Sequence, residues 1–511
     1  MASLAASLAK VGGNTLLSRI LGFARDLVVA HAFGADAGTD AFFVAFKIPN
    51  FMRRLFAEGA FSMAFVPVLN AYRETHGFPA LKHFVDDIAG TFGAVLLLIT
   101  ALGVLGAPAL ILIFAPGFAH DASQWELATA MLRLTFPYVL FISLTALAGG
   151  ILNTYERFGI PAFTPVLLNL SLIGCTIVLA PRMEQPIMAL AWGVLFAGMI
   201  QLAFQLPFLA QLDLLPRPRL TRKDPGIGQV IRRMGPALFG VSVAQISLLL
   251  DTLLASFLTT GSISWLYYSD RLMEFPLGIL AATLGTVILP RLSRRHAAND
   301  PESFSETLNW ALRWILLLGV PAAVGLLVLA GPLMATLFHS GEFNANDVAM
   351  ASHSLMAYAL GLVGFMGIKV LAPGYYARQE MTTPARIAAI ALLVGLGCNL
   401  ILMVPLGHAG LALGTTIAAT LNAGLLLRGL LKDRILRPHA GWIALLAKGL
   451  TASLVMGCVV YLGAGDTAHW IAMDSGERIR HLLIWIALGG FVYLGALLAL
   501  GIRPRHLMAR T

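Results

Sequence analysis

Charged side chains are scarce in this chain: Asp, Glu, Lys and Arg make up 12% of its 511 residues, while 58% are hydrophobic. A soluble domain of ordinary composition keeps about a quarter of its residues charged. Too few polar groups remain here to solvate a globular surface, and the mean hydropathy is +0.80. No polar block is long enough to form a soluble domain of its own. Cysteine is scarce too. Cys175, Cys398 and Cys458 lie far apart inside apolar runs, which argues against both a metal site and a disulfide framework. The common catalytic signatures are missing: there is no GxxxxGK[ST] phosphate loop, no GxSxG elbow and no HExxH. His31, His76, His83, His120, His296 and His339 sit in or near loops without metal-type spacing. The expectation is a protein that is no enzyme and holds no metal or other cofactor. The N-terminal stretch also lacks the clean apolar core and small-residue cleavage site of a signal peptide, and reads as the start of a first spanning helix.

What the chain has in abundance is apolar runs of about 20 residues, long enough to cross roughly 30 Å of hydrocarbon. One runs from Ala94 to Ile113; others are QPIMALAWGVLFAGMIQLAF and WILLLGVPAAVGLLVLAGPL. Windows of about 19 residues predict an all-α polytopic membrane protein of about fourteen spans. Their centres fall near residues 22, 55, 100, 138, 171, 199, 246, 280, 321, 358, 394, 420, 453 and 491. Basic residues collect in alternate links: Arg217, Arg219, Arg222, Lys223, Arg232 and Arg233 after span six, Arg291, Arg294 and Arg295 after span eight, Lys432, Arg434 and Arg437 after span twelve. The intervening links GADAGTD, APGFAHDASQWE, TTGSIS, FHSGEFNAND and PLGHAG contain no Lys or Arg. Positive-inside asymmetry therefore predicts cytoplasmic basic links and both termini inside. The formal net charge of +9 needs no nucleic acid to explain it.

The two halves resemble each other. Tyr155 and Arg157 of NTYERFGIP match Tyr376 and Arg378 of GYYARQEMTTP, an offset of 376 − 155 = 221. Leu190-Ala191-Trp192-Gly193 matches Leu411-Ala412-Leu413-Gly414 at the same offset, and Pro67 pairs with Pro290 at 290 − 67 = 223. A duplicated six-helix unit has an even number of spans, so both copies share one orientation, as a parallel repeat. The predicted organisation is an N-terminal lobe over 1–215, a C-terminal lobe over 216–438, a central cavity between them, and two further helices over 439–511.

Charges inside spans cost several kcal/mol unless they face a cavity or a partner. Here they collect at the start of each half: Arg19, Arg25 and Asp26 in span one, Asp40, Lys47, Arg53, Arg54 and Glu58 in span two, Asp251 in span seven, Asp270, Arg271 and Glu274 in span eight. Arg54 with Glu58, at i and i+4, and Arg271 with Glu274, at i and i+3, have the spacing of structural ion pairs. Arg19, Arg25, Arg53 and Arg271 are harder to account for together by local pairing. Together around one wet cavity they would bind a substrate with more than one negative charge, since guanidinium forks suit phosphate oxygens. Arg19 and Arg25 lie about 120° apart around an ideal helix, so both face one cavity only if the helix bends, as at Gly22, or the cavity wraps around it. Asp251, alone in AQISLLLDTLLASF, has two readings: a cation or proton site, or a structural hydrogen-bonding group.

At these residues the sequence resembles the MurJ (MviN) lipid II flippase family, within the multidrug/oligosaccharidyl-lipid/polysaccharide (MOP) exporter superfamily. The stretches that carry the resemblance are SRILGFARD (18–26), TDAFFVAFKIPNFMRRLFAEGAFSMAFVPV (39–68), PAFTPVLLNLS (161–171), GVSVAQISL (240–248), YYSDRLMEFPLGIL (267–280) and KVLAPGYYARQ (369–379). The resemblance implies two lobes working by alternating access in the bacterial inner membrane. It implies lipid II, an undecaprenyl-pyrophosphate glycolipid, as substrate, with membrane lipids and cell-wall synthesis machinery as partners. It places substrate contacts at Arg19, Arg25, Arg53 and Arg271, and a functional acid at Asp40, which is read with Glu274 as gating. A span-seven carboxylate contributes to the family's sodium site, which points to Asp251. The span-eleven run RIAAIALLVGLGCNLILM has no carboxylate, so Na⁺, H⁺ and the membrane potential all stay open as drivers. Two rival readings are a flippase for another polyprenyl-linked glycan and a cation-coupled multidrug exporter. A multidrug exporter would want an acidic or aromatic cavity rather than four arginines.

Overall fold

A computed structural model describes residues 2–54, 61–221, 224–438 and 441–502, and within these all side chains outside 2–10, 235–248 and 279–287. Every regular element among the described residues is helical. By contact the chain divides into two compact units, Met1–Gly261 and Ser262–Thr511.

The first unit contains α1 (Ala2–Phe33), α2 (Ala37–Met52), α3 (Ser62–Thr75), α4 (Gly77–Leu105), α5 (Ala107–Phe114), α6 (Ala122–Thr135), α7 (Tyr138–Thr154), α8 (Gly159–Gly174), α9 (Met188–Ala210) and α10 (Pro225–Ala255). Short polar links set the starts. Asp36 and Thr39 form a reciprocal capping box at α2, Asp121 caps α6, and Asp224 followed by Pro225 opens α10. In lipid, helices associate through packing and hydrogen bonds rather than hydrophobic drive, and both are visible. Phe61 stacks on Phe92 at 4.2 Å and on Phe65 at 5.0 Å, in a core shared by α3, α4 and α7. Thr135 of α6 donates to the Ala45 carbonyl of α2 at 2.8 Å, and Gln201 and Gln205 of α9 donate to Thr164 of α8.

The link between α9 and α10 is strapped along α4. Asp86, buried and paired with Lys82, accepts from Arg217 N at 2.7 Å, and its own carbonyl accepts from Arg219 N at 3.1 Å. Thr91 donates to the Thr221 carbonyl at 2.8 Å. A Cβ at Gly90 would run into the Arg219 backbone. Gly90→Ala is therefore expected to lift the strap, at about 1–3 kcal/mol of overpacking cost. Limited proteolysis would read it as faster cleavage between Leu215 and Thr221, and unchanged cleavage would count against the strap.

The second unit contains α11 (Ser262–Ala297), α12 (Pro301–Trp314), α13 (Val320–Val328), α14 (Ala330–Leu337), α15 (Ala345–Ala359), α16 (Leu362–Tyr376), α17 (Thr382–Lys432), α18 (Trp442–Ala464), α19 (Thr467–Ala472) and α20 (Ser475–Ala499). α11 runs unbroken through Pro276 and Pro290. The break in α17 is at Gly407, whose φ of 56° and ψ of −133° separate two arms. Within each unit the same packing recurs: α2 on α6 and α7 on α9 in the first, α11 on α15 and α16 on α17 in the second. Helix starts also recur at the offset expected from the sequence, with Gly159 and Thr382 separated by 382 − 159 = 223.

Eight helices among the described residues are long and apolar enough to cross a membrane, or nine if the pair α15–α16, bent by 41°, is one span. The eight include the two-armed α17. The expected count of about fourteen is reached only with its second arm and with α1, α2, α10 and α11. α1 carries Arg19, Arg25 and Asp26, and α2 is 16 residues long; the side chains of 235–248 in α10 and 279–287 in α11 lie outside the described residues.

Candidate functional site

α1 is an uninterrupted helix, so Arg19 and Arg25 leave it on different faces. Arg19 is exposed. Arg25 is 7% exposed and faces α8. Its Nε and Nη2 donate to Asp26 Oδ1 at 3.0 and 2.6 Å, and its Nη1 donates to Asn169 Oδ1 on α8 at 3.2 Å. A buried guanidinium without such partners would carry a desolvation cost of several kcal/mol; here it is neutralised and hydrogen-bonded.

α2 brings three predicted groups into the first unit. Asp40, in its first turn, is buried, and Oδ2 accepts from the Gly261 backbone N–H at 2.7 Å. That backbone contact comes from 221 residues away in the chain. Gly261 has φ of 92°, a conformation that side chains resist. Lys47, half-buried, donates to Thr252 Oγ1 of α10. Asp251, the neighbour of Thr252, is half-buried on that helix, which packs on α3. Arg53 caps the end of α2, half-buried, with Nε donating to Asn50 Oδ1 at 2.9 Å. Glu58, expected to pair with Arg54, lies outside the described residues, as do Arg222 and Lys223.

In the second unit, Arg271 of α11 donates through Nη1 to Glu274 Oε2 at 3.1 Å, the i,i+3 pair expected from spacing. Its guanidinium also lies 5.5 Å from the Tyr267 ring centroid. Side-chain exposures of 33% and 52% leave this pair screened, worth about 0–1 kcal/mol. A phosphate oxygen could displace Glu274 at little cost.

Sequence reasoning did not single out Asn169, although an amide inside the apolar run PVLLNLSLIG is the kind of group that marks an interhelical contact. Its Nδ2 donates to the Ser18 carbonyl of α1 at 3.0 Å. Among the described residues, no group of three or more His, Cys, Asp or Glu side chains could hold a metal ion.

The family model described as "Lipid II flippase MurJ" matches residues 29–479. The chain belongs to the lipid II flippase MurJ family. Relatives in that family include the probable lipid II flippase MurJ of Haemophilus influenzae, 45% identical over 97% of this chain and 100% of its own length. The lipid II flippase MurJ of Burkholderia cenocepacia is 42% identical over 99% of both chains. A solved lipid II flippase MurJ in an inward closed conformation aligns with a TM-score of 0.80 and 28% identity, covering 95% of this chain and 97% of that one. An inward-facing MATE transporter of the MOP superfamily aligns at 0.67, covering 82% and 94%, and at 14% identity it speaks for the fold alone. MurJ proteins are transporters and not enzymes, in agreement with the missing catalytic motifs.

Proposed function

We propose that this chain is a lipid II flippase of the bacterial inner membrane. It carries the undecaprenyl-pyrophosphate-linked peptidoglycan precursor from the cytoplasmic to the periplasmic leaflet by alternating access. The observation that carries the reading is family membership over residues 29–479 in a chain whose membrane helices hold arginines. The pyrophosphate is the handle: Arg19, Arg25, Arg53 and Arg271 bind it while the polyprenyl tail stays in lipid. Glu274 releases Arg271 to the arriving phosphate and takes it back on departure. Asp40 gates by holding Gly261 at the end of the first unit. Both termini are cytoplasmic, and the two lobes are the six-helix repeats 1–215 and 216–438, with 439–511 added. Cell-wall synthesis enzymes are the partners that would supply and consume the substrate.

For the driving force, the membrane potential fits a cycle in which net positive arginines return empty, at about 2.3 kcal/mol per charge per 100 mV. A coupling Na⁺ or H⁺ would act at Asp251, and replacing that carboxylate separates the two drivers. The test of the substrate is complementation. Wild type is expected to rescue cells depleted of their own lipid II flippase, and Arg19→Ala, Arg53→Ala and Arg271→Ala at normal membrane levels are not. If the wild type inserts yet fails to rescue, the substrate is another polyprenyl-linked glycan. Full rescue by all three variants would sink the electrostatic mechanism.

A further inference from the structure

Ser18, Gly22 and Arg25 are spaced i, i+4 and i+7 along α1, so they form one stripe on the helix. All three meet the same side chain of α8. Asn169 Nδ2 donates to the Ser18 carbonyl at 3.0 Å, Asn169 Oδ1 accepts from Arg25 Nη1 at 3.2 Å, and a Cβ at Gly22 would sit 3.5 Å from Asn169 Nδ2. The amide can be oriented only one way. Reversed, it would set its NH₂ against a guanidinium and its oxygen against a carbonyl. Asn169 is 5% exposed, so water does not compete for these bonds.

Two consequences follow for the arginines of α1. Nη1 of Arg25 is held toward α8 while Nε and Nη2 stay on Asp26, which fixes the plane of the fork. The Ser18 bond fixes the rotation of α1 about its own axis. Arg19 follows Ser18 by one residue, or about 100° of helix, so its direction is set by the same bond. We propose that Asn169 is a positioning residue for substrate capture: it locks the azimuth of α1 against α8 and so aims both Arg19 and Arg25. The inference rests on the reading of those arginines as pyrophosphate ligands.

The test is a double-mutant cycle on the purified full chain, read as affinity for lipid II, with thermal unfolding measured alongside. Asn169→Ala is expected to weaken binding roughly tenfold, the size of one hydrogen bond to a charged group. In an Arg19→Ala/Arg25→Ala background the same substitution is expected to change affinity less than twofold, because nothing is left to aim. An equal loss in both backgrounds would overturn the proposal, since a merely structural asparagine weakens binding whichever arginines are present. Unchanged affinity in Asn169→Ala, with Arg25→Ala still damaging, would overturn it while sparing the arginine site. Unchanged affinity in every variant would instead remove the arginine reading beneath it. Should Asn169→Ala insert poorly, Asn169→Ser keeps a small polar group at the contact and carries the same cycle.

Discussion

Arg25→Ala is expected to abolish rescue of cells depleted of their lipid II flippase, for two reasons that can be separated. Arg25 is buried, and its departure removes a guanidinium that the buried Asp26 carboxylate accepts from at 2.6 Å. Breaking a buried pair by removing one partner costs about 3–5 kcal/mol, enough to lower the amount of folded protein in the membrane. Arg25 is also a proposed ligand of the pyrophosphate, so any protein that does insert lacks part of its handle. The double variant Arg25→Ala/Asp26→Ala removes both charges, and replacing a whole pair is often close to neutral for stability. Its membrane level is expected to recover toward wild type while rescue stays lost. Immunoblotting of membranes beside growth measures both. If the double variant inserts and rescues, Arg25 is half of a structural pair and nothing more. Arg25→Lys is expected to fall between, since an ammonium keeps the charge but not the planar fork shared by Asp26 and Asn169.

The contrast between what could be read from the sequence and what could not is sharpest at these charges. Arg271 with Glu274 was legible because helical spacing alone decides an i,i+3 contact. The membrane-spanning character and the break between the arms of α17, at the loop PLGHAG, follow from hydropathy and from glycine's tolerance of positive φ. Arg25 was legible as a charge that needs a partner, but its partners were not. Asp26 is its chain neighbour and would ordinarily point elsewhere on a helix, and Asn169 stands 144 residues away. Asp40 shows the same limit, because its partner Gly261 contributes a backbone N–H, which leaves no signature in a side-chain pattern. Hydrogen bonds to backbone set much of the packing here, and no reading of residue types predicts them.

The same limit hides the anchor of the C-terminal helices, where a second large effect is expected. Arg478, near the start of α20, is 7% exposed, and among the described residues it donates to backbone carbonyls. Nε donates to Met473 at 2.9 Å, Nη1 to Ala335 at 3.0 Å and His339 at 2.8 Å, and Nη2 to Ile471 at 3.3 Å. These oxygens end α14 and α19, where a helix has carbonyls without intrahelical donors and a partial negative charge. One planar fork satisfies both ends, which a lysine cannot reach with a single nitrogen. Tyr493 donating to the Leu317 carbonyl at 2.6 Å and Trp442 donating to Asn309 Oδ1 at 2.8 Å tie the same helices to the segment 309–317. Arg478→Ala is expected to cost roughly 3 kcal/mol, given hydrogen bonds to a charged group of about 1.5–3 kcal/mol that are partly replaced by water. A lowered melting temperature in detergent would measure it, with Arg478→Lys recovering little. Because Arg478 contacts none of the proposed substrate ligands in the second unit, the variant is expected to rescue growth at low temperature and fail at high temperature. Loss of rescue at every temperature with normal melting would instead make this end of α20 part of the transport cycle itself.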